Sequence, residues 1–314
     1  MKREIVAFVA NDANRYAFVK ALSCGMISTV VTIGAETAKK NGVSNYLDVR
    51  KDIETFANNI VRIIEIEKYR LDNEKDLESI RLLEPCAGLV LGWNRLLSSE
   101  VISIFKAGVF GFHGTPFGLP KGRGRSPSIW SIALGYKEFR YHMFEIDSGI
   151  DSGVIVDTIK IEIHEKDNIR SFHQKLSYAA WKMIEKNLER IISGGVSFGR
   201  QSGKPIYFRK RTEKDGVINW QRSTESIYNL VRAITRPYPG ATTNSKKGLM
   251  KLWDSVPFDD IPYASPAACG TVLFSSHDGF AVRTGTGALL VTDYCGSVPA
   301  EGEILGSLDS GEVY

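Results

Sequence analysis

The sequence of 314 residues contains few cysteines and no long apolar run. Its cysteines are widely spaced, without a Cys-x-x-Cys pair or a nearby histidine cluster: Cys24, Cys86, Cys269 and Cys295. This spacing provides no zinc site and no redox dithiol, and it is typical of thiols in a reducing compartment. No apolar stretch approaches the roughly 20 residues of a membrane span, and the N-terminal apolar run is too short for a signal peptide. We therefore expect a cytoplasmic protein with no membrane partner and no metal.

The sequence also lacks the charge excess that is typical of nucleic-acid-binding proteins. The net charge is +4 and the isoelectric point is about 8.7. Proteins that bind nucleic acid often concentrate more positive charge, because each neutralised phosphate contributes through counterion release. This balance permits an RNA partner without arguing for one, whereas the phosphates of a small substrate need only a few cations.

Common nucleotide-binding and hydrolase motifs are absent as well. The first strand-like run ends in Ala10-Asn11-Asp12, with no glycine where a dinucleotide-binding turn requires one. The basic segment 121–126 is rich in glycine but lacks the Gly-Lys-Ser/Thr ending of a P-loop. No serine stands in a Gly-x-Ser-x-Gly elbow. These absences remove the frequent alternatives for an α/β enzyme.

Strand-like runs alternate with helical patterns through the first part of the chain. Five such runs occupy residues 4–10, 27–33, 61–66, 87–93 and 109–112. We interpret the segment after the second run as a loop, followed by a helix from about Asp52. We also predict a helix over residues 98–107 with Ser98 near its start as a cap. The alternation predicts a Rossmann-like, mostly parallel sheet covered by helices on both faces. Catalytic groups in such sheets gather at the carboxyl ends of the strands.

The second part of the chain has a different pattern. Three glycine-punctuated runs are typical of a small antiparallel β-barrel: residues 270–274, 279–284 and 287–291. The segment 194–216 is rich in Gly, Lys, Arg and other polar residues, and we place the linker there. We therefore predict an N-terminal domain of residues 1–205 and a C-terminal domain of residues 206–314.

Three segments carry residues suited to chemistry. His113 follows a buried strand among glycines and prolines, which makes it a catalytic candidate even though a lone histidine is more often structural. The basic loop 121–127 is either a solvated loop or an anion site. The turn 147–153 holds Asp147 and Asp151 between glycines that allow tight bending. On the turn alone, Asp151 is more often a turn-former than a functional carboxylate.

Together these segments resemble the folate-dependent formyltransferases, which include methionyl-tRNA formyltransferase, glycinamide ribonucleotide formyltransferase and the sugar N-formyltransferases. The resemblance lies in Phe112-His113, Leu119-Pro120, the Gly-Arg-Gly-Arg-Ser-Pro run 122–127 and the Asp-Ser-Gly-Ile-Asp-Ser-Gly turn 147–153. It continues into Ile218-Asn219-Trp220, residues 227–233 and Pro237-Tyr238-Pro239-Gly240-Ala241, which look like the opening of the second domain in this family. That domain is a small barrel of the oligonucleotide-binding type.

The resemblance implies a co-substrate and a set of site residues. N10-formyltetrahydrofolate would be the formyl donor, and His113 and Asp151 would be catalytic. The pterin ring would lie against Trp93, Asn94, Arg95, Leu96 and Leu97 and the turn at Asp147, largely through backbone groups; Trp93 has the alternative role of a plain core residue. Lys121, Arg123, Arg125 and Ser126 would bind substrate phosphates. One departure stands out: Gly111 occupies the position of the family's asparagine, whose amide is thought to hold the oxyanion.

The features that bear on the acceptor favour a sugar. The loop after Pro120 is short and the net charge is modest. The Gly-x-His sequence at residues 111–113 looks more like that of the sugar enzymes than that of the tRNA enzyme. We therefore expect a UDP- or dTDP-linked amino-deoxy sugar as substrate, with no nucleic acid as partner. The alternatives are methionyl-tRNA, a hydrolase that sends the formyl group to water, and an inactive folate- or nucleotide-binding module. The sugar's stereochemistry and a homodimer through exposed strand edges are left open.

Overall fold

The computed structural model describes residues 3–196, 199–258 and 267–306. Its strands are β1 (Ile5–Phe8), β2 (Thr29–Ile33), β3 (Arg62–Ile66), β4 (Ala87–Val90), β5 (Val109–Thr115), β6 (Lys121–Gly124), β7 (Glu138–Glu145), β8 (Ile155–Glu162), β9 (Ile206–Phe208), β10 (Ala241–Ser245), β11 (Gly248–Pro257), β12 (Val272–Ser276), β13 (Gly279–Arg283) and β14 (Ala288–Cys295). Its helices are α1 (Arg15–Ser23), α2 (Ala35–Lys40), α3 (Val49–Phe56), α4 (Glu74–Arg81), α5 (Ser99–Ser103), α6 (Pro127–Ala133), α7 (Ile169–Ile192) and α8 (Thr224–Ala233), with a short 3-10 helix at Glu213–Gly216.

The first sheet has seven strands in the order β3-β2-β1-β4-β5-β7-β8. The pairs from β3 to β5 are parallel, and β7 then pairs with β5 in the antiparallel direction. β1 and β2 are entirely buried, which explains why their sequences are mostly apolar, with Thr29 and Thr32 as the polar residues of β2. The predicted Rossmann-like, mostly parallel sheet is confirmed.

Helix boundaries show where local sequence signals were weak. The loop expected after Ile33 contains a helix, α2, whose only buried side chain is Ala38, so it carries almost no apolar periodicity. α3 begins at Val49, just after the capping Asp48, and therefore starts before the expected Asp52. The prediction of Ser98 as a cap is confirmed, because its side chain accepts a hydrogen bond from the Val101 amide.

The second sheet is antiparallel and has five strands in the order β10-β11-β14-β13-β12. A short segment near residue 305 joins its two edges. Gly306 bridges Asn244 in β10, and Ile304 bridges Thr271 next to β12. This closure accords with the expected small barrel, because each edge strand gains a hydrogen-bonding partner.

The chain forms two compact units that interleave along the sequence. The first consists of Met1–Gly124, Phe139–Ile161 and His173–Tyr207, and the second consists of Arg125–Glu138, Glu162–Phe172 and Phe208–Tyr314. α6 belongs to the second unit, where it packs against α8. The linear domain boundary between residues 205 and 206 stays a prediction.

Within the three described ranges, no helix combines the length and the apolar character that crossing a membrane requires.

Candidate active site

His113 lies on β5, beyond the point where its parallel neighbour ends. β4 pairs with β5 only through Val109 and Phe110, whereas the later residues of β5 pair with β7 alone. The histidine was expected to follow the strand directly; the strand instead continues to Thr115, because β7 supplies hydrogen-bonding partners that the sequence did not reveal. His113 therefore projects past the carboxyl ends of the parallel strands, where catalytic groups gather in such sheets.

The ring of His113 is held by two contacts and is 8% exposed. Its Nε2 lies 2.9 Å from the carbonyl oxygen of Gly122, and its Nδ1 lies 3.4 Å from Oδ2 of Asp151. A carbonyl oxygen only accepts hydrogen bonds, so Nε2 must carry a proton. The remaining nitrogen, Nδ1, faces a carboxylate, and this contact is favourable only when a further proton stands between the two groups.

Asp151 reaches the histidine from a tight turn. Its φ of 49° is in the left-handed region, which aspartate adopts more readily than most residues. Its Oδ2 also accepts a hydrogen bond of 2.9 Å from the Gly124 amide. Gly153 permits the turn, because a Cβ there would lie 1.6 Å from the Glu145 carbonyl oxygen. The structure thus brings together the two residues predicted to be catalytic.

Asp147, at the start of the same turn, has a different environment. Its Oδ1 accepts hydrogen bonds from the Gly149 amide, at 3.0 Å, and from the Ser152 hydroxyl, at 2.6 Å. The side chain is exposed and stabilises the turn. Its predicted role beside the co-substrate stays a prediction.

The basic loop contributes its backbone to the site. β6 supplies both the Gly122 carbonyl and the Gly124 amide, and both glycines have positive φ, 88° and 98°. Lys121 is exposed, while the half-buried Arg123 is held by Gln201. Arg125 and Ser126 belong to the second unit, where Arg125 is exposed and Ser126 precedes α6.

The predicted co-substrate segment, residues 93–97, separates into buried and exposed side chains. Trp93 is in the core, with its ring centroid 4.6 Å from that of Tyr69, and its indole nitrogen has no hydrogen-bonding partner among the described residues. The Asn94 amide donates to the Tyr69 hydroxyl, and the Arg95 guanidinium lies 5.1 Å from the same ring. Leu96 is 60% exposed. Any contact of Trp93 with a ligand through its side chain would therefore compete with core packing.

An open cavity of about 420 Å³ lies along the Asp147 turn. One wall is α5, and the other is formed by residues 145–148 and 152–154. Two carboxylates, those of Glu145 and Asp147, line it, and burial together with the charge of Asp147 raises the pKa of Glu145. The volume is within the range of small-molecule sites.

Gly111 shares a face of β5 with His113, because the two residues are separated by one position. A Cβ at Gly111 would lie 2.9 Å from Cδ1 of Ile146 and 3.8 Å from Cβ of Val90. The space of a side chain at this position is thus already occupied by an apolar group. Among the described residues, the three atoms nearest to that point belong to the apolar side chains of Ile146 and Val90.

Two polar residues of the site gave no recognisable sequence signal. His142 stands opposite His113 on β7; its Nδ1 lies 2.8 Å from the Thr158 hydroxyl, and its Nε2 accepts a hydrogen bond from the Leu119 amide at 3.3 Å. Burial, followed by the nearby charges of His113 and Arg140, lowers the pKa of His142 to about 4. The other residue is Gln201, which lies in the segment predicted to be a linker and bonds to the backbone of Asp151.

Across residues 3–196, 199–258 and 267–306, no cluster of three or more His, Cys, Asp or Glu side chains has a metal-binding arrangement.

Comparison with known families gives two matches that together cover most of the chain. The family model described as "Formyl transferase" matches residues 2–188, and the model described as "Formyl transferase, C-terminal domain" matches residues 210–295. Among curated proteins, the bifunctional polymyxin resistance protein ArnA of Wigglesworthia glossinidia brevipalpis is 33% identical over 204 residues. This match covers 65% of the chain but only 30% of ArnA.

Solved structures share the fold at low sequence identity. HypX from Aquifex aeolicus in complex with tetrahydrofolic acid has a TM-score of 0.66 at 14% identity, covering 94% of this chain and 44% of HypX. WlaRD, a sugar 3N-formyl transferase determined in the presence of dTDP and 5-N-formyl-THF, has a TM-score of 0.65 at 20% identity, covering 93% and 98%. Methionyl-tRNA formyltransferase from Clostridium thermocellum has a TM-score of 0.53 at 20% identity, covering 81% and 93%.

Proposed function

The chain belongs to the formyl transferase family, and on this premise we propose that it transfers a formyl group from N10-formyltetrahydrofolate to the amine of a UDP- or dTDP-linked amino-deoxy sugar. The observation that carries the proposal is the His113–Asp151 pair, with 3.4 Å between Nδ1 and Oδ2 beside a backbone that fixes both side chains. Formyl transfer needs no covalent enzyme intermediate, so an acid–base pair without a nucleophile is sufficient.

The reaction has a defined balance of bonds and protons. The acceptor nitrogen forms a bond to the formyl carbon, and the resulting tetrahedral carbon carries a negative oxygen. The bond from that carbon to the folate N10 then breaks. One proton leaves the acceptor amine and one proton arrives at N10, so the site needs a group that accepts and then returns a proton.

His113 and Asp151 meet this requirement as a pair. Because Nε2 of His113 is committed to the Gly122 carbonyl, exchange with the reactants occurs at Nδ1 and at the Asp151 carboxylate. We assign Asp151 as the acceptor of the amine proton and His113, when doubly protonated, as the cation that stabilises the negative oxygen. Because Ile146 fills the space beside Gly111, His113 supplies a larger part of the electrostatic stabilisation of the negative oxygen than it would beside an asparagine.

The cavity beside Asp147 supports a place for the folate. Its volume of about 420 Å³ suits part of a drug-sized ligand, and its lining offers backbone groups, two carboxylates and four serines. We propose that the pterin occupies this cavity and reaches the backbone of Trp93, Asn94, Arg95 and Leu96, with Asp147 shaping its wall.

We propose that Lys121 and Arg123, in the first unit, bind the acceptor's phosphates; the roles predicted for Arg125 and Ser126, in the second unit, stay predictions. Support for a nucleotide sugar comes from related folds, since WlaRD was determined with dTDP and a Helicobacter canadensis N-formyltransferase with folinic acid and dTDP-3-aminofucose. Methionyl-tRNA is the second candidate acceptor, because the Clostridium thermocellum enzyme shares the fold.

The test is initial-rate formylation with N10-formyltetrahydrofolate against UDP- and dTDP-amino sugars, methionyl-tRNA, and no acceptor. Saturable turnover with a nucleotide sugar and none with the tRNA is the expected result. Turnover with the tRNA alone would overturn the choice of acceptor. Folate breakdown without an acceptor would make the protein a hydrolase, and no reaction at all would make it a binding module.

A further inference from the structure

We propose that Gln201 is a positioning residue that joins Asp151 and Arg123 into one hydrogen-bonded ring. The inference rests on the proposed function, because it assigns the residue that aligns the proton acceptor with the group expected to bind the acceptor's phosphate. Gln201 lies 50 positions after Asp151 and 78 after Arg123 along the chain. Its contacts are all within the first compact unit.

The side-chain amide of Gln201 uses its full hydrogen-bonding capacity. Its Nε2 donates to the carbonyl oxygens of Asp151, at 2.9 Å, and Gly153, at 2.8 Å. Its Oε1 accepts from Nη2 of Arg123, at 2.6 Å, and from Nε of the same guanidinium, at 3.2 Å. An amide has two donors and two acceptor lone pairs, so all four positions are occupied.

The partners also fix the orientation of the amide. Carbonyl oxygens only accept and a guanidinium only donates, so exchanging the amide's nitrogen and oxygen would break all four bonds. Only glutamine and asparagine offer donors and acceptors on one planar group, and asparagine is one methylene shorter. The geometry is therefore specific to glutamine at this position.

Together the contacts close a ring. Asp151 is held through its carboxylate by the Gly124 amide and through its carbonyl oxygen by Gln201. Gly124 directly follows Arg123, which bonds back to Gln201. Asp151 has a left-handed backbone with a φ of 49°, and such a conformation persists only when surrounding contacts determine it.

Arg123 keeps donors for a ligand while it is in the ring. Gln201 occupies the edge formed by Nε and Nη2, and Nη1 contacts the Tyr207 hydroxyl at 3.5 Å, the limit of a hydrogen bond. A guanidinium has five N–H groups, so its opposite edge can still bind a phosphate. A phosphate that orders Arg123 therefore also orders Gln201 and, through it, Asp151.

Two substitutions separate the two halves of the ring. Gln201→Met removes all four bonds at nearly constant volume. Gln201→Glu keeps an oxygen for Arg123 but loses both donors to the Asp151 and Gly153 carbonyls. Gln174→Met, at an exposed position on α7, is the matched control.

For Gln201→Met we expect kcat to fall about 100-fold, because a small misplacement of a reacting group has an effect of that order, and the KM for the nucleotide sugar to rise. For Gln201→Glu we expect the same fall in kcat, with KM within about threefold of wild type, since the loss is confined to the chemical step. A purely structural role would not split kcat from KM in this way. Near wild-type kcat in Gln201→Glu, or equal behaviour of Gln201→Met and Gln174→Met, would overturn the inference.

Hydrogen exchange gives a readout that does not depend on the acceptor. We expect the peptide covering residues 147–153 to exchange faster in both Gln201 variants and unchanged in Gln174→Met. Unchanged exchange in the Gln201 variants would show that Gln201 does not position Asp151, whatever the acceptor is. If exchange is faster in the Gln201 variants but the protein formylates none of the acceptors, the hydrogen-bonded ring is supported and the proposed function is overturned.

Discussion

The surroundings of His113 and His142 differ although the two residues stand directly opposite each other on β5 and β7. Both are nearly inaccessible, at 8% and 4% exposure. His113 lies between a carbonyl oxygen and a carboxylate, two groups that only accept hydrogen bonds when the carboxylate is ionised. His142 lies between a hydroxyl and a backbone amide, and the amide can only donate to it.

This contrast shows that the partners, more than the burial, decide what a histidine can do. The Leu119 amide requires an unprotonated Nε2 on His142, so its proton lies on Nδ1 and points at Thr158. That arrangement is complete with a neutral ring. The arrangement around His113 is complete only with an additional proton, which makes His113 the reactive member and His142 the member that anchors the loop before β6.

The largest effect is expected from removing the reactive member or its partner. His113→Asn and Asp151→Asn should each lower the rate of formyl transfer by about 10²–10⁴-fold, the usual contribution of a positioned acid or base. Asparagine also tolerates a positive φ, so Asp151→Asn should keep its fold. Initial rates and thermal melting would measure both.

The exposed pair His277 and Asp278 is a matched control, since its Nδ1 and Oδ1 lie 2.9 Å apart in solvent. His277→Asn and Asp278→Asn should leave the rate unchanged. Full turnover in His113→Asn would remove the catalytic assignment of the buried pair.

Introducing a side-chain amide at position 111, beside His113, tests how tightly Ile146 fills that space. Gly111→Asn places a Cβ 2.9 Å from Ile146, and overpacking of this kind costs about 1–3 kcal/mol of unfolding free energy. Ile146→Ala should cost less stability in the Gly111→Asn protein than in the wild type, because it clears the space for the new side chain. Denaturant unfolding of the single and double variants would measure this, and wild-type stability of Gly111→Asn alone would contradict it.

Replacing His142, which anchors the loop before β6, should lower the free energy of unfolding. His142→Leu leaves the Leu119 amide without its acceptor, and an unsatisfied buried donor costs about 1–3 kcal/mol. His142→Gln offers an acceptor and a donor and should recover most of the loss. His277→Leu, at an exposed turn, is the control in the same unfolding experiment. Equal stability of the Leu and Gln variants at position 142 would show that the hydrogen bonds contribute little.

The effect that is smallest near neutral pH is a pH dependence of stability. The pKa of His142 is lowered from 6.5 to about 4 in the folded chain, so the unfolded chain binds more protons between these values. Stability is then fully present above about pH 6.5 and decreases as the pH falls towards 4, by at most about 1.4 kcal/mol per pH unit for one histidine. His142→Gln should remove this contribution from the plot of unfolding free energy against pH. Burial also lowers the pKa of His173 to about 4, and His173 contributes equally in both proteins. If the plots for His142→Gln and the wild type were parallel, the lowered pKa of His142 would be contradicted.

The sequence predicted the sheet well because its signals were local. β1 is a continuous apolar run, β2 is rich in Val and Ile, and Ser98 caps its helix, so neighbouring residues carried the information. The same holds for the turn 147–153, whose glycines and aspartates lie within seven positions. α2 was missed because a helix with one buried side chain has no apolar periodicity to detect.

The site was predictable only where a motif marked it. His113 and Asp151 came from their resemblance to a family motif, and the structure places them in contact. Gln201 and His142 belong to no such motif, and Gln201 lay in a segment whose composition indicated a linker. Hydrogen bonds between positions so far apart leave no trace in composition or spacing.

The sequence by itself determined the order of the parallel strands along the chain, the positions of the glycines that allow the tight turn, and the chemical types available for acid–base work. Only the tertiary structure decided which nitrogen of His113 faces Asp151, that Ile146 fills the space beside Gly111, and that residues 304–306 join the edges of the second sheet. The physical reason is that local conformation depends on neighbouring residues, whereas proton positions, packing space and edge pairing depend on groups that folding alone brings together.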